Sequence, residues 1–272
     1  MRPLSLVPLL VLLTVPPAAA QTSDQPNLVL TLFGGAVTGH SLWHIGHQPL
    51  CVLLGRAADS PCSTEYDTLD LARDISSSIV AGASATYFKG PHLGFQGEIY
   101  YLGFTLDDTC KGVFYNPDAE SRNQQLCNDI SALSLSTSAI AIIGSVVLRA
   151  SAAHAISPYI SAGVGVVSHS GGTIEMSGRF ISQDTLYSRA VLVDDHPSRT
   201  SVGLQLAAGM TTRLSPGYQF RLELRDAVVP LQRVTGPANN LAQAPTASKT
   251  YHHIALTLGL DIVLEKKRGR RY

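Results

Sequence analysis

The chain has 272 residues, 45% hydrophobic and 15% charged, with 20 basic and 20 acidic side chains and no formal net charge. A sequence so balanced and so thinly charged excludes the broad basic surface that nucleic acid requires. Its 23 glycines and its low aromatic share of 7% fit a long-looped all-β domain better than a helical one.

Residues 1–20 combine Arg2, an apolar stretch over residues 4–15 and the end Pro16-Pro17-Ala18-Ala19-Ala20. That is the form of a cleaved secretory signal, and Gln21 in place of cysteine excludes lipoprotein processing. Beyond it no apolar run reaches the roughly 18 residues that a spanning helix needs. The longest, residues 139–148, is interrupted by Gly144 and Ser145. Any membrane insertion of the expected mature domain, residues 21–264, is therefore by strands. The basic cluster Lys266, Lys267, Arg268, Arg270 and Arg271 has no interleaved aromatics and reads as a solvated tail over residues 265–272.

Eight stretches alternate with period two, the repeat of a β-strand. The first is residues 27–37, where Leu28, Leu30 and Leu32 share a face. The second, residues 75–88, turns at Lys89-Gly90-Pro91 into the third, residues 92–105, and the two read as a hairpin. The fourth covers residues 134–149, with Leu133 and Leu135 out of parity, which predicts a bulge or the end of the membrane zone. The fifth is residues 158–169 and the sixth residues 201–214; Ser215-Pro216-Gly217 leads into the seventh, residues 218–229. The eighth is residues 249–264, with Ile254, Leu256, Leu258, Leu260 and Ile262 on one face. Long connections over residues 38–73, 106–129, 170–199 and 233–248 alternate with short ones near residues 89–91, 150–157 and 215–217. This asymmetry predicts an eight-stranded antiparallel up-and-down transmembrane β-barrel, its long loops extracellular. Drawing residues 173–193 into the wall as an extra hairpin gives the alternative, a ten-stranded barrel.

Stretches such as Gly94-Phe95-Gln96-Gly97-Glu98-Ile99-Tyr100-Tyr101, Pro158-Tyr159-Ile160-Ser161-Ala162-Gly163-Val164-Gly165 and Arg221-Leu222-Glu223-Leu224-Arg225-Asp226, behind an export signal, resemble the small bacterial outer-membrane β-barrel families, of the OmpX and OmpW kind. The resemblance covers the whole mature chain. It implies the bacterial outer membrane as location and its lipid and lipopolysaccharide as surroundings, and it is compatible with a structural or surface-binding protein, a channel or a lipid-modifying enzyme. In those families the last strand usually ends in an aromatic residue, whereas Tyr272 here lies beyond the basic tail.

Cys51, Cys62, Cys110 and Cys127 suit an oxidising compartment. Three pairings are possible. The local pairs Cys51–Cys62 and Cys110–Cys127 are expected because each falls within one polar connection, and no Cys-x-x-Cys spacing favours zinc. His44-Ile45-Gly46-His47 spells a nucleotide-synthetase motif outside the Rossmann context it needs, and with His40 it reads as a loop rather than a metal site. His169, Ser170 and Glu175 supply hydrolase residue types near one strand end, but adjacent strand residues point to opposite faces, so no catalytic residue is assigned. Glu98, Arg213, Arg221, Glu223, Arg225 and Asp261 fall on the inward parity. Because side chains fill an eight-stranded interior, these charges are expected to pair as a plug, with a narrow pore or proton path as the alternative. No cofactor and no metal is expected. The functional expectation is a monomeric, non-enzymatic surface protein that binds an extracellular ligand through its loops; a narrow channel for small or hydrophobic molecules is the second reading and a lipid-A-modifying enzyme the third.

Overall fold

The computed structural model describes residues 27–50, 67–76, 78–114, 120–150, 156–170, 174–194, 199–239 and 242–264. The expected signal, the basic tail and the Cys51–Cys62 pair lie outside the described residues. Among the described residues twelve strands and one helix occur, in the order β1 (Asn27–Val37), β2 (His40–Leu50), β3 (Asp67–Ile75), β4 (Ser78–Phe88), β5 (Leu93–Val113), α1 (Arg122–Ala132), β6 (Ser134–Arg149), β7 (Ile156–His169), β8 (Met176–Ser182), β9 (Thr185–Leu192), β10 (Thr200–Ser215), β11 (Tyr218–Val234) and β12 (Thr246–Leu264).

Eight of these strands close a ring. The order β5-β4-β1-β12-β11-β10-β7-β6 returns to β5 through the β5–β6 pairing, and every pairing in it is antiparallel. No ring strand keeps a free edge within the wall, which is the condition for a sheet to stand in hydrocarbon. The barrel therefore has eight strands. The segment drawn into the ten-stranded alternative forms β8 and β9, which pair only with each other. β5 and β6 pair without a register shift, so the odd parity at Leu135 marks the end of the apolar zone and not a bulge.

The period-two pattern sorts side chains as expected. Leu32, Ile142, Ile160, Leu206, Leu224 and Leu256 face outward and are exposed, and each ring strand carries such residues. On β12 the outward belt runs from Ile262 to Ile254, and beyond it stand His252, Thr250 and Ser248. Glycine has a positional task at Gly209. A Cβ there would lie 2.6 Å from the Leu222 carbonyl oxygen and 2.7 Å from the Tyr159 hydroxyl, so only glycine leaves room for the phenol in the lumen.

At the long-connection end the expected loops are partly ordered secondary structure. β5 continues to Val113, and β3 pairs with that extension from Ile75↔Leu106 to Thr68↔Val113. β2 then pairs with β3, so a hairpin hangs from the upper wall. Arg73 of β3 makes two 2.6 Å bonds to the Asp108 carboxylate of β5, both side chains buried, with the guanidinium 5.7 Å from the Trp43 ring centre. The tip of β2 crosses to the connection after β11, where the Ala238 amide donates to Gln48 Oε1 at 2.6 Å. α1 is tied to β5 by the Cys110–Cys127 disulfide. It also covers the edge of β8: the backbone amides of Arg179, Ile181 and Gln183 donate to the side chains of Asp129, Gln125 and Glu120. Leu42, Trp43, Leu71, Leu126, Ile174 and Phe180 belong to one buried cluster, so these pieces form a cap with a hydrophobic core of its own, continuous with the upper lumen.

The disulfide closes a short loop, an effect of about 3 kcal/mol by chain entropy. The expected outcome for Cys127→Ser is an unchanged difference in gel mobility between unheated and boiled protein, because the ring is intact, with an earlier loss of buried Trp43 emission in urea.

Candidate functional site: the charged layer in the lumen

The inward faces of the ring strands meet in three layers. At the short-turn end Val29, Phe88, Val147 and Tyr159 form a small apolar cluster. At the opposite end Leu102, Leu106, Ala139, Val167 and Val229 meet Leu42 of the β2–β3 hairpin. Between them lies the charged layer.

Its centre is β11, whose alternation sends Arg221, Glu223 and Arg225 inward on one strand. Arg225 donates to Glu223 Oε1 from Nη2 at 2.6 Å and from Nε at 2.9 Å, and its Nη2 lies 3.6 Å from Glu98 of β5. Arg221 donates to Asp261 of β12 from Nε at 3.0 Å and from Nη2 at 3.2 Å, and its Nη1 is 3.8 Å from Glu223. Five charged side chains thus form one chain of contacts, Glu98, Arg225, Glu223, Arg221 and Asp261, all nearly inaccessible. Neutral donors complete it. Tyr159 of β7 donates to Glu223 Oε2 at 2.5 Å, Gln205 of β10 to Glu98 Oε1 at 2.5 Å, Gln96 of β5 to Glu98 Oε2 at 2.9 Å, and Thr31 of β1 to Asp261 Oδ1 at 2.8 Å. Thr86 of β4 donates to Gln96 at 3.0 Å, so every ring strand except β6 contributes to the layer. Aromatic faces flank the cations: Arg225 lies 4.4 Å from the Phe33 ring centre and Arg221 5.0 Å from that of Tyr159.

Of the six residues singled out in the sequence, these five meet and Arg213 does not. Its parity is inward, but it sits at the short-turn rim opposite Gln219, exposed, and makes no ion pair among the described residues. Tyr159, Gln205, Thr31 and Thr86 were not singled out, although each lies on the inward parity of its strand; charge is a stronger flag than a hydroxyl or an amide, and it drew the selection. His44 and His47 stand exposed on β2, where the His47 amide donates to Asp70 Oδ1 at 2.9 Å, and no group of three or more metal-ligating side chains occurs among the described residues. The Ser170 hydroxyl bonds Thr137 Oγ1 at 2.9 Å and the Ser138 amide at 3.1 Å, so its partners are not His169.

A closed ring of eight strands, an apolar belt on its outer face and a hydrogen-bonded polar interior define the class, a small transmembrane β-barrel of the bacterial outer-membrane kind. In fold the chain is similar to the outer membrane protein OprG from Pseudomonas aeruginosa, with 9% identity and a TM-score of 0.46, covering 89% of this chain and 96% of that one. It is also similar to Neisserial surface protein A, at 11% identity and a TM-score of 0.40 over 89% and 99% of the two chains. The outer membrane protein AlkL, solved in lipid bilayers, matches at 14% identity and a TM-score of 0.39 over 94% and 98%. No family model matches the sequence, and no curated protein matches it.

Removing Arg225 would strand Glu98 and Glu223 in the lumen, a loss on the order of 3–5 kcal/mol for a broken buried pair. Arg225→Ala is expected to lower the temperature at which unheated mobility on gels is lost, and Arg225→Ala with Glu98→Gln to recover part of it. Arg213→Ala, by contrast, should shift it little.

Proposed function

We propose that the protein is a non-enzymatic, monomeric outer-membrane barrel with a plugged lumen, acting at the cell surface through the cap. The single observation that carries this reading is the succession of three layers of packed side chains along the barrel axis. The charged layer bonds side chains from strand to strand across the interior, so that its carboxylates and guanidiniums partner one another and their neutral neighbours. An eight-stranded wall encloses little more than side-chain volume, so a plug of this kind costs no channel that the fold would otherwise offer.

The belt supports insertion as a monomer surrounded by lipid and, on the outer side, lipopolysaccharide, since outward apolar side chains occur on all eight ring strands. With short turns at one end and the cap at the other, the usual orientation of such barrels places the cap outside the cell. A cap with its own core, an internal disulfide and a buried Arg73–Asp108 pair is a rigid platform for an extracellular ligand. Single-channel recording in planar bilayers at neutral pH tests the plug. Wild type is expected to stay silent, and Arg225→Ala combined with Glu223→Ala to produce discrete small openings. A steady wild-type conductance would overturn the plugged lumen in favour of the narrow channel.

A further inference from the structure

Immediately above the charged layer two histidines face each other, with three of their four ring nitrogens unpaired among the described residues. His253 comes inward from β12, just beyond the end of the belt at Ile254, and is 3% exposed. His40 is the first residue of β2, where the hairpin leaves the wall. Their ring centres are 4.8 Å apart, edge on face. Both nitrogens of His40 and Nδ1 of His253 are buried without a hydrogen-bond partner among the described residues, and so is Nδ1 of His169 on β7. Buried polar atoms are nearly always satisfied, so four such nitrogens, those of His253 and His169 on one enclosure and those of His40 beside it, are an anomaly that calls for a cause. The enclosure is apolar. His253 and His169 line it with Leu42, Leu102, Val167 and Val229, and its volume of about 30 Å³ leaves room for little beyond a water molecule.

We propose that the His40–His253 pair is a proton-operated latch, which holds the β2–β3 hairpin over the lumen while both rings are neutral and releases it when they are protonated. The geometry makes the pair a part of the closure. β2 starts at one of the two rings, Leu42 two residues later fills the enclosure, and the Tyr251 hydroxyl, on the strand of His253, donates to the Leu42 carbonyl. Tyr251 also stacks on His40 at 5.3 Å. Two imidazolium ions at this separation, in an apolar enclosure without a carboxylate, repel each other and are poorly solvated. Lifting the hairpin hydrates both.

The surrounding charges do not offset this. Burial pushes the His253 imidazole down to about 4, and His40 and His252 add to the effect while Asp226 on β11 opposes it. Burial likewise lowers His40, helped by Lys249 on β12 and opposed by Asp74 of β3, and burial lowers His169. Asp226 is engaged on the outer face of the wall with His252 at 2.7 Å. The side chains that β5 and β6 bring to the enclosure, Leu102, Phe104, Leu106, Thr137 and Ala139, are all uncharged. The sign follows from linkage. The closed form holds its histidines below the ordinary value of about 6.5, so its advantage is complete above that pH and is lost progressively as the pH falls from there towards about 4. Across that interval the ratio of open to closed cap should rise on the order of a hundredfold.

Trp43, the one tryptophan of the chain, reports on the latch because it lies buried in the hairpin three residues from His40. Its emission and its quenching by acrylamide would be followed from pH 7.5 to pH 4 in protein refolded into phosphatidylcholine vesicles. The expected result is a reversible red shift with greater quenching, its midpoint between about 4 and 6.5, and no transition in His40→Phe with His253→Phe. Should that double variant fail to refold, His253→Gln is read in the same way. An unresponsive wild type overturns the proposal, as does a variant that keeps the full transition, since a group other than the two histidines would then drive it. The latch acts above the charged layer, so a Trp43 transition without bilayer conductance leaves both the latch and the plug standing, and conductance alone tests only the plug.

Discussion

Everything in this barrel depends on the pairing and hydrogen bonding of buried charge in an interior that side chains largely fill. Three carboxylates and two guanidiniums are enclosed by eight strands, and each ion is matched by groups on other strands, Arg225 by Glu98 of β5 and Arg221 by Asp261 of β12. Such a network is favourable only when complete, because an unmatched member would carry the full penalty of a buried charge. It is also a statement about register. Slipping any strand by one residue would turn its polar face to the lipid and its apolar face to the lumen. Hydrophobic belt and ionic layer therefore select the same pairing, one from outside and one from inside.

The cap follows from that closed wall rather than competing with it. A ring that ends flush with its apolar belt would leave β5 with an unpaired extension, Leu106 to Val113. β3 takes up those hydrogen bonds, and Arg73 clasps Asp108 across the same pairing. From there the chain can lean inward, and it does so because Leu42 and Trp43 find apolar partners in the upper lumen and beneath α1. The cap is thus two structures joined: a wall extension with strand geometry, and a lid with the packing of a soluble core.

The ring was legible in the sequence because each of its strands separates two solvents, and a lipid face alternating with a filled interior writes a period-two pattern that needs no tertiary knowledge. Residues 218–229 and 254–262 show it most cleanly. The cap obeys no such rule. β2, with the sequence His40-Ser41-Leu42-Trp43-His44-Ile45-Gly46-His47-Gln48-Pro49-Leu50, has register breaks between Ser41 and Trp43 and between Ile45 and Gln48, and a positive φ of 56° at His47, so its buried residues lose their alternation. It read as a loop. α1 was hidden for another reason: its first turns, Arg122-Asn123-Gln124-Gln125, look like a polar connection, and its apolar face is only Leu126, Cys127 and Ile130. In the charged layer, parity picked out the ions but could not place them along the axis. That is why Arg213, on the correct face, lies at the rim, while Tyr159, a residue that could as well have been filling, binds Glu223.

The side chains that α1 lends to β8 have a consequence for the shape of the outer surface. Glu120, Gln125 and Asp129 are spaced by five and four residues, a rise of roughly 6–7.5 Å per step on or just ahead of a helix, while the amides they receive, two on β8 and that of Gln183 just beyond it, recur every second residue, at roughly 6.6 Å. The two repeats nearly coincide. The flank of a helix can therefore stand in for a third strand, ending the sheet without offering a further edge to neighbouring molecules. On a crowded cell envelope that makes α1 less a connection than a terminus: a built-in stop to lateral growth of the hairpin on its helix side.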